Sequence, residues 1–174
     1  MPMQQLDPKA FWLFFLSSLL RWGLFILVFL LWFVGFLFDA LVEGEDFQAP
    51  YWLGIVFFVV PIVMFLVLFV WAKLSYRFYK YELADVGFRK ELGVINKKYV
   101  TIPYDRIQNV DIDRNLLARI LGLSTLSIQT AGYSGAKGFG NESEGRLPGL
   151  SQETAEQLRN ELIRRAGQTR SQGV

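Results

Sequence analysis

Two long apolar runs limit what this chain can fold into more than any other feature. The first, FWLFFLSSLLRWGLFILVFLLWFVGFLF from Phe11 to Phe38, is interrupted only by Ser17, Ser18 and Arg21, and the second, YWLGIVFFVVPIVMFLVLFVW from Tyr51 to Trp71, carries no charge. Each exceeds the roughly 18 to 20 residues that a helix needs to cross a hydrocarbon core of about 30 Å. Both are therefore expected to span a membrane, over about 18–38 and 51–71. Trp12, Trp22, Trp52 and Trp71 lie near the ends of the runs with Tyr51, where amphipathic rings favour the water interface. Asp7 before Pro8 reads as a helix N-cap followed by proline at the first helical position. A helix from Pro8 to Phe38 would be roughly 46 Å long at about 1.5 Å per residue, too long for the core alone. Its first part should lie at the interface, with Arg21 snorkelling toward headgroups. Pro61 removes a backbone donor inside the second span and predicts a kink.

Charge placement sets the orientation. DALVEGEDFQAP between the runs holds Asp39, Glu43, Glu45 and Asp46 but no Lys or Arg, whereas Lys9 and Arg21 precede the first span and Lys73, Arg77 and Lys80 follow the second. By the positive-inside rule both termini are cytoplasmic, in a multi-pass protein of the plasma (inner) membrane. The first run is too long for the apolar region of a cleaved signal peptide. Composition narrows the chemistry: there is no cysteine and no histidine among the 174 residues. Thiolate nucleophiles, disulfides, Ser-His-Asp and Cys-His arrangements and imidazole metal sites are thereby excluded. Neither span contains Asp, Glu or Lys, which argues against an intramembrane proton relay.

From Ala72 onward, 16 Lys and Arg stand against 11 Asp and Glu, an excess of five positive charges that would sit well against an anionic inner leaflet. The patterning there is of short strands. SYRFYKYEL alternates, ADVG turns, FRKELGVI resumes extended structure, NKK turns, and YVTIPY places Val100, Ile102 and Tyr104 on one face. Pro103 should end that strand, and Asp105 is placed to cap the YDRI turn that follows. NVDIDRN then points Val110 and Ile112 one way and Asp111 and Asp113 the other. These carboxylates share a face as metal ligands would, but it is the face opposite the apolar residues, and a solvated surface is the expectation. LLARILGL should be a short helix closed by Gly122, and STLSIQTA a strand with Leu126, Ile128 and Thr130 on one side.

GYSGAKGFGNESEG, with Gly132, Gly135, Gly138, Gly140 and Gly145, does not have the spacing of a phosphate-binding loop: Lys137 precedes its glycine and no G-x-G-x-x-G is completed. A hairpin loop is expected instead. SQETAEQLRNELIRRAG reads as a terminal helix capped by Ser151, with Ala155, Leu158, Leu162 and Ala166 as its apolar stripe and Gly167 as its stop. The remainder, 168–174, should be a disordered tail.

The run from Tyr81 to Gly132, with RLPGLSQETAEQLRNELIRRAG after it, resembles the membrane-anchored bacterial pleckstrin-homology (PH-like) domain family, in its small YdbS-like form. IPYDRIQNV, RILGL, IQTAG and LPGL are the most specific pieces, contributing Ile102, Pro103, Arg106, Ile107, Val110, Gly122, Thr130, Gly132, Leu147 and Gly149 as structural motif residues. The resemblance implies two transmembrane helices in 1–74, then a cytoplasmic, mainly-β PH-like barrel of about seven antiparallel strands with a C-terminal helix in 75–167. It implies no catalytic residue, metal or cofactor. The turn ADVG is short and holds Asp85, so inositide recognition is not implied. A non-enzymatic, membrane-tethered interaction module follows, with the bilayer as one partner and as the other a membrane protein bearing similar domains, or a second copy; nothing suggests nucleic acid. The alternative is anionic-lipid headgroup binding by a basic face built from Lys73, Arg77, Lys80, Arg89, Lys90, Lys97 and Lys98.

Overall fold

Asp7 and Pro8 determine where the first helix starts, because proline cannot donate and aspartate can accept. In the computed structural model, which describes residues 3–43, 51–130 and 145–172, the Asp7 carboxylate accepts the Lys9 N–H at 2.9 Å and its carbonyl accepts the Ala10 N–H at 2.8 Å. Helix α1 runs from there over Ala10–Glu43, and α2 over Tyr51–Phe78 with Pro61 inside it. Both are long and apolar enough to cross a membrane. Along them Phe15 meets Phe65 edge-on at 5.3 Å, and Phe29 stacks on Phe57 at 5.5 Å. Most of the remaining apolar side chains of Phe15–Ala72 face outward, as lipid-facing residues would.

The remaining described elements are β1 (Gln4–Gln5), β2 (Lys80–Leu83), β3 (Gly87–Leu92), β4 (Lys98–Pro103), a 3-10 turn (Tyr104–Arg106), β5 (Ile107–Asp113), α3 (Leu116–Leu121), β6 (Leu123–Thr130), β7 (Leu147–Ser151) and α4 (Gln152–Gln172). They form one antiparallel sheet in the order β1-β2-β3-β4 and a second in the order β5-β6-β7. The expected antiparallel strands and C-terminal helix are present, but the sheets do not close into a barrel. Alternation drives each strand to bury one face. Phe88, Ile102, Leu126, Ile128, Leu147 and Leu150 are fully buried, joined by Ala155, Leu158, Leu162 and Ala166 from α4. Each large side chain in this core contributes about 1.5–3 kcal/mol of burial.

Caps agree with the chemistry of the residues at the helix ends. Ser151 Oγ accepts the Thr154 N–H at the start of α4, Asn115 Oδ1 accepts the Ala118 N–H at the start of α3, and Gly122 closes α3 at a φ of 70°. Three boundaries differ from the sequence reading. Residues 75–78 are the end of α2 and not strand: Tyr76 and Tyr79 lie three apart on a helical face packed against the core, and Tyr79 N–H closes the last turn on the Tyr76 carbonyl. The 3-10 turn is closed by Ile107 N–H on the Tyr104 carbonyl, with no side-chain bond at its Pro103 cap, and Asp105 is exposed. Helix α4 passes through Gly167 to Gln172, since an interior glycine costs a helix only about 1 kcal/mol. The segment 131–144, with Gly132, Gly135, Gly138, Gly140 and Lys137, lies outside the described residues, as do Glu45 and Asp46.

The largest departure is at the N-terminus. By contacts the chain divides into Phe15–Ala72 and a sheet unit made of Met1–Phe14 with Lys73–Val174, so the first residues belong with the sheets. Gln4 and Gln5 pair with Tyr81 and Lys80, adding β1 to the edge of β2. Asp7 N–H then donates to the Gly149 carbonyl of β7, and Leu6 and Ala10 are buried in the core. One short segment thus bonds to both sheets. Because the chain leaves the sheet unit at Phe14 and re-enters it at Lys73, the ends of the helical hairpin return to one folded body.

That seam depends on Gly149, which has a φ of +74° and whose absent Cβ would lie 2.4 Å from Ala10 Cβ. Gly149→Ala is expected to destabilise the sheet unit by about 2–4 kcal/mol, from overpacking plus the left-handed backbone. Adding Ala10→Gly should restore part of the loss, because it removes the clash and leaves the φ cost. Thermal unfolding of the two variants in detergent, followed by near-UV circular dichroism, measures both effects.

Candidate functional site

The aspartates that could have formed a carboxylate site are otherwise engaged or apart. Asp111 Oδ2 accepts from Gln129 Nε2 at 2.8 Å, and Asn109 Nδ2 bonds both of its oxygens at 3.0 and 3.1 Å. Asp113 is exposed at the end of β5. Val110 is buried and Ile112 packs on the core, so the strand faces are as the sequence indicates. Among the described residues no three Asp or Glu side chains could share a metal ion.

The seven basic residues do not come together as one face. The pairing of β2, β3 and β4 puts Lys80 opposite Glu91 and Arg89 opposite Glu82, so carboxylates interleave with cations on the outer side of the first sheet. Arg89 contacts Glu82 at 3.6 Å and Lys97 contacts Glu91 at 3.5 Å. Lys90 points the other way: it pairs with Tyr81, is buried, and donates to the Arg146 carbonyl at 3.1 Å. The bond gives this buried ammonium a partner, without which its desolvation would be costly, and it orients the chain entering β7. Lys73 and Arg77 are exposed near the end of α2, Lys80 is half-buried on β2, and Lys98 is exposed at the start of β4.

The motif residues occupy several kinds of position, with Gly132 outside the described residues. Ile102, Ile107, Val110 and Leu147 are core, Gly122 caps α3, and Thr130 ends β6. Arg106 is exposed in the 3-10 turn beside Pro103.

A polar cluster absent from the sequence reading ties α4 to the rest of the sheet unit. Tyr104 OH donates to the Ala84 carbonyl at 2.8 Å, while Arg165 Nη1 donates to Tyr104 OH at 3.1 Å and to the same carbonyl at 3.3 Å. Arg165 also lies 5.6 Å from the centre of the Tyr104 ring. Burial pushes the Tyr104 phenol up, partly offset by the adjacent guanidinium. Glu161 receives Arg165 Nε at 2.6 Å and a two-pronged bond from Arg164, and hydrogen bonds from Arg164 and then Arg165 hold its carboxyl down at about 2. The spacing of Glu161 with Arg164 and Arg165 is an ordinary helical pair signal, but nothing in the sequence links Arg165 to Tyr104 and Ala84.

The strand order leaves two end strands. Strands β4 and β5 are the end strands of their sheets, and neither has a strand partner on its outer side among the described residues. The 3-10 turn joins them, and α4 packs against β5 and that turn. On β4 the side chains of Lys98, Tyr99 and Thr101 are exposed, while Val100 and Ile102 point to the core. An extended peptide laid along β4 would meet unpaired backbone groups and an exposed aromatic ring.

Glu161 has its pKa below the ordinary 4.5 in the folded state, so its contribution is complete above that value and is lost as pH falls toward about 2. The unfolding temperature of Glu161→Gln should therefore lie below that of the parent by a constant margin from neutral pH down to about 5, and the margin should close between there and about 2. Because these groups are partly exposed, the margin corresponds to about 1 kcal/mol or less.

Comparison with known proteins agrees with this architecture. A family model described as the bacterial PH domain matches residues 11–166. The chain is 34% identical over 110 residues to the UPF0699 transmembrane protein YdbT of Bacillus subtilis (strain 168), a match that covers 60% of this chain and 21% of that relative. The chain thus spans about a fifth of the length of the curated relative it matches. No solved structure matches. With two transmembrane helices ahead of paired antiparallel sheets and a C-terminal helix, the chain belongs to the bacterial PH domain family.

Proposed function

We propose that the chain is a non-enzymatic, membrane-tethered PH-like interaction module at the cytoplasmic face of the bacterial inner membrane, and that it binds a protein partner along β4. The observation that carries this reading is the open end strand with its exposed Tyr99, in a domain whose carboxylates are already hydrogen-bonded or apart. Main-chain pairing supplies affinity, and alternate side chains of the incoming strand read Tyr99 and Thr101 on one face. The partner is another membrane protein carrying similar domains, or a second copy of this chain, since the tether confines the domain to a layer that such partners share. The interleaved Glu82 and Glu91 speak against headgroup binding by the outer sheet face.

A photoreactive phenylalanine analogue in place of Tyr99 tests the reading in native membranes. Irradiation is expected to yield a discrete protein adduct, of twice the chain mass for a second copy or larger for a different membrane protein. Absence of any protein adduct from Tyr99, together with equal recovery of the unmodified chain, would sink it.

The acidic loop at the far end of the helices supports the cytoplasmic assignment of both termini. The chain lacks cysteine, so single-cysteine variants can be read without background. Asp39→Cys should react with a membrane-impermeant maleimide in intact spheroplasts, and Gln168→Cys only after permeabilisation. The opposite pattern would invert the topology.

A further inference from the structure

The strand register gives the sheet unit two ends. Lys80 opposite Glu91 and Leu92 opposite Lys98 put the β3–β4 turn at the end where β2 leaves α2. Leu83 opposite Phe88 and Gly87 opposite Pro103 put the β2–β3 turn, with Val86, at the other end. The six residues of β3 separate these turns by roughly 20 Å.

Exposed apolar side chains concentrate at the first end. Ile95 of the β3–β4 turn is 79% exposed, and Leu116 and Ile120 of α3 are 73% and 72% exposed, as much as Leu24 in the first apolar run at 72%. These are the three most exposed large hydrophobic residues among the described ones of the sheet unit. Both carriers pack on the roots of the helices. Lys97, two residues after Ile95, places its ammonium 6.0 Å over the ring of Phe78, the last residue of α2. Helix α3 packs Leu117, Ala118 and Leu121 with Leu13, in the opening turns of α1 just before the run enters its span. Leu116 and Ile120, four apart, share a helix side that this contact leaves uncovered.

We propose that this root end is itself a membrane contact, in which Ile95, Leu116 and Ile120 enter the headgroup and acyl boundary of the leaflet from which α1 and α2 emerge. The occupant is a phospholipid leaflet carrying anionic headgroups. Continuity decides for lipid over protein, because both prongs rest on helix segments that run without a break into the spans. Charge agrees: Arg119 flanks Ile120 on α3 and Lys98 follows the β3–β4 turn, both exposed, while no carboxylate lies in either prong. Apolar side chains between basic residues are the composition that inserts at such a boundary. The contact differs from headgroup binding by the outer sheet face.

Single cysteines at Ile95, Leu116 and Ile120, with Val86→Cys and Ile163→Cys as exposed apolar controls, are labelled with an environment-sensitive nitrobenzoxadiazole dye. The full chain is then reconstituted in phosphatidylcholine and phosphatidylglycerol vesicles, with or without acyl-brominated lipid. Labels at 95, 116 and 120 are expected to emit to the blue of the controls and to be quenched by brominated lipid at least about twofold more strongly. Labels there that are as wet and as weakly quenched as those at 86 and 163 overturn the proposal. Dry but unquenched labels whose protection grows with protein density assign the patch to protein contact and overturn it equally. Vesicles lacking phosphatidylglycerol separate the two parts of the claim: shallower insertion supports the role of charge, and unchanged insertion removes it.

Discussion

Ala10 and Gly149 approach so closely that no side chain larger than hydrogen fits on β7 at that point. Much of the molecule's organisation depends on that contact. It lets the segment from Gln4 to Ala10 lie across both sheets, pairing with β2 on one side and bonding to the Gly149 carbonyl on the other. Leu6 can then enter the core shared with Phe88, Ile102 and Leu126. The same segment becomes α1 within a few residues, so the seam between the sheets and the root of the first membrane helix are one stretch of chain. Among the described residues β4 and β5 are the end strands of the two sheets.

Polar groups in the sheet unit mostly serve this architecture. Lys90 and Tyr79 both donate to the Arg146 carbonyl, which orients the chain entering β7. Arg114 bonds the Leu123 carbonyl and Gln152, joining the ends of α3 and α4. Arg165 and Tyr104 share the Ala84 carbonyl, locking α4 onto the β2–β3 turn. Each satisfies a carbonyl that strand geometry leaves over, a structural duty that leaves little for chemistry. Ser124 Oγ is the exception, buried without a hydrogen-bond partner among the described residues.

Local features of the fold could be read from the residues, and long-range ones could not. The apolar runs, the inward Val110, Ile102 and Leu126, the caps at Ser151 and Gly122, and the apolar stripe of α4 all follow from period and side-chain chemistry over a few residues. The stretch 75–78 reads as strand because Tyr76 and Phe78 alternate, whereas the spacing of three between Tyr76 and Tyr79 suits the helix that forms. The strand at Gln4–Gln5 carries no strand signal at all; it forms because β2 offers an edge and Gly149 offers room. The basic residues looked like a patch in one dimension, and only pairing with Glu82 and Glu91 shows that they are dispersed. The open end strand could not be seen before strand order was known.

The seam also governs the order in which the protein can be made. A ribosome delivers Gln4 and Gln5 before their partners Tyr81 and Lys80, which follow only after both apolar helices have been synthesised. Gln4 and Gln5 therefore cannot pair in the sheet until both helices have been made, and Asp7 cannot reach the Gly149 carbonyl until β7 follows. Burial of Leu6 and Ala10 thus depends on residues that lie on both sides of the two apolar helices in the chain, so neither flank can complete this core by itself.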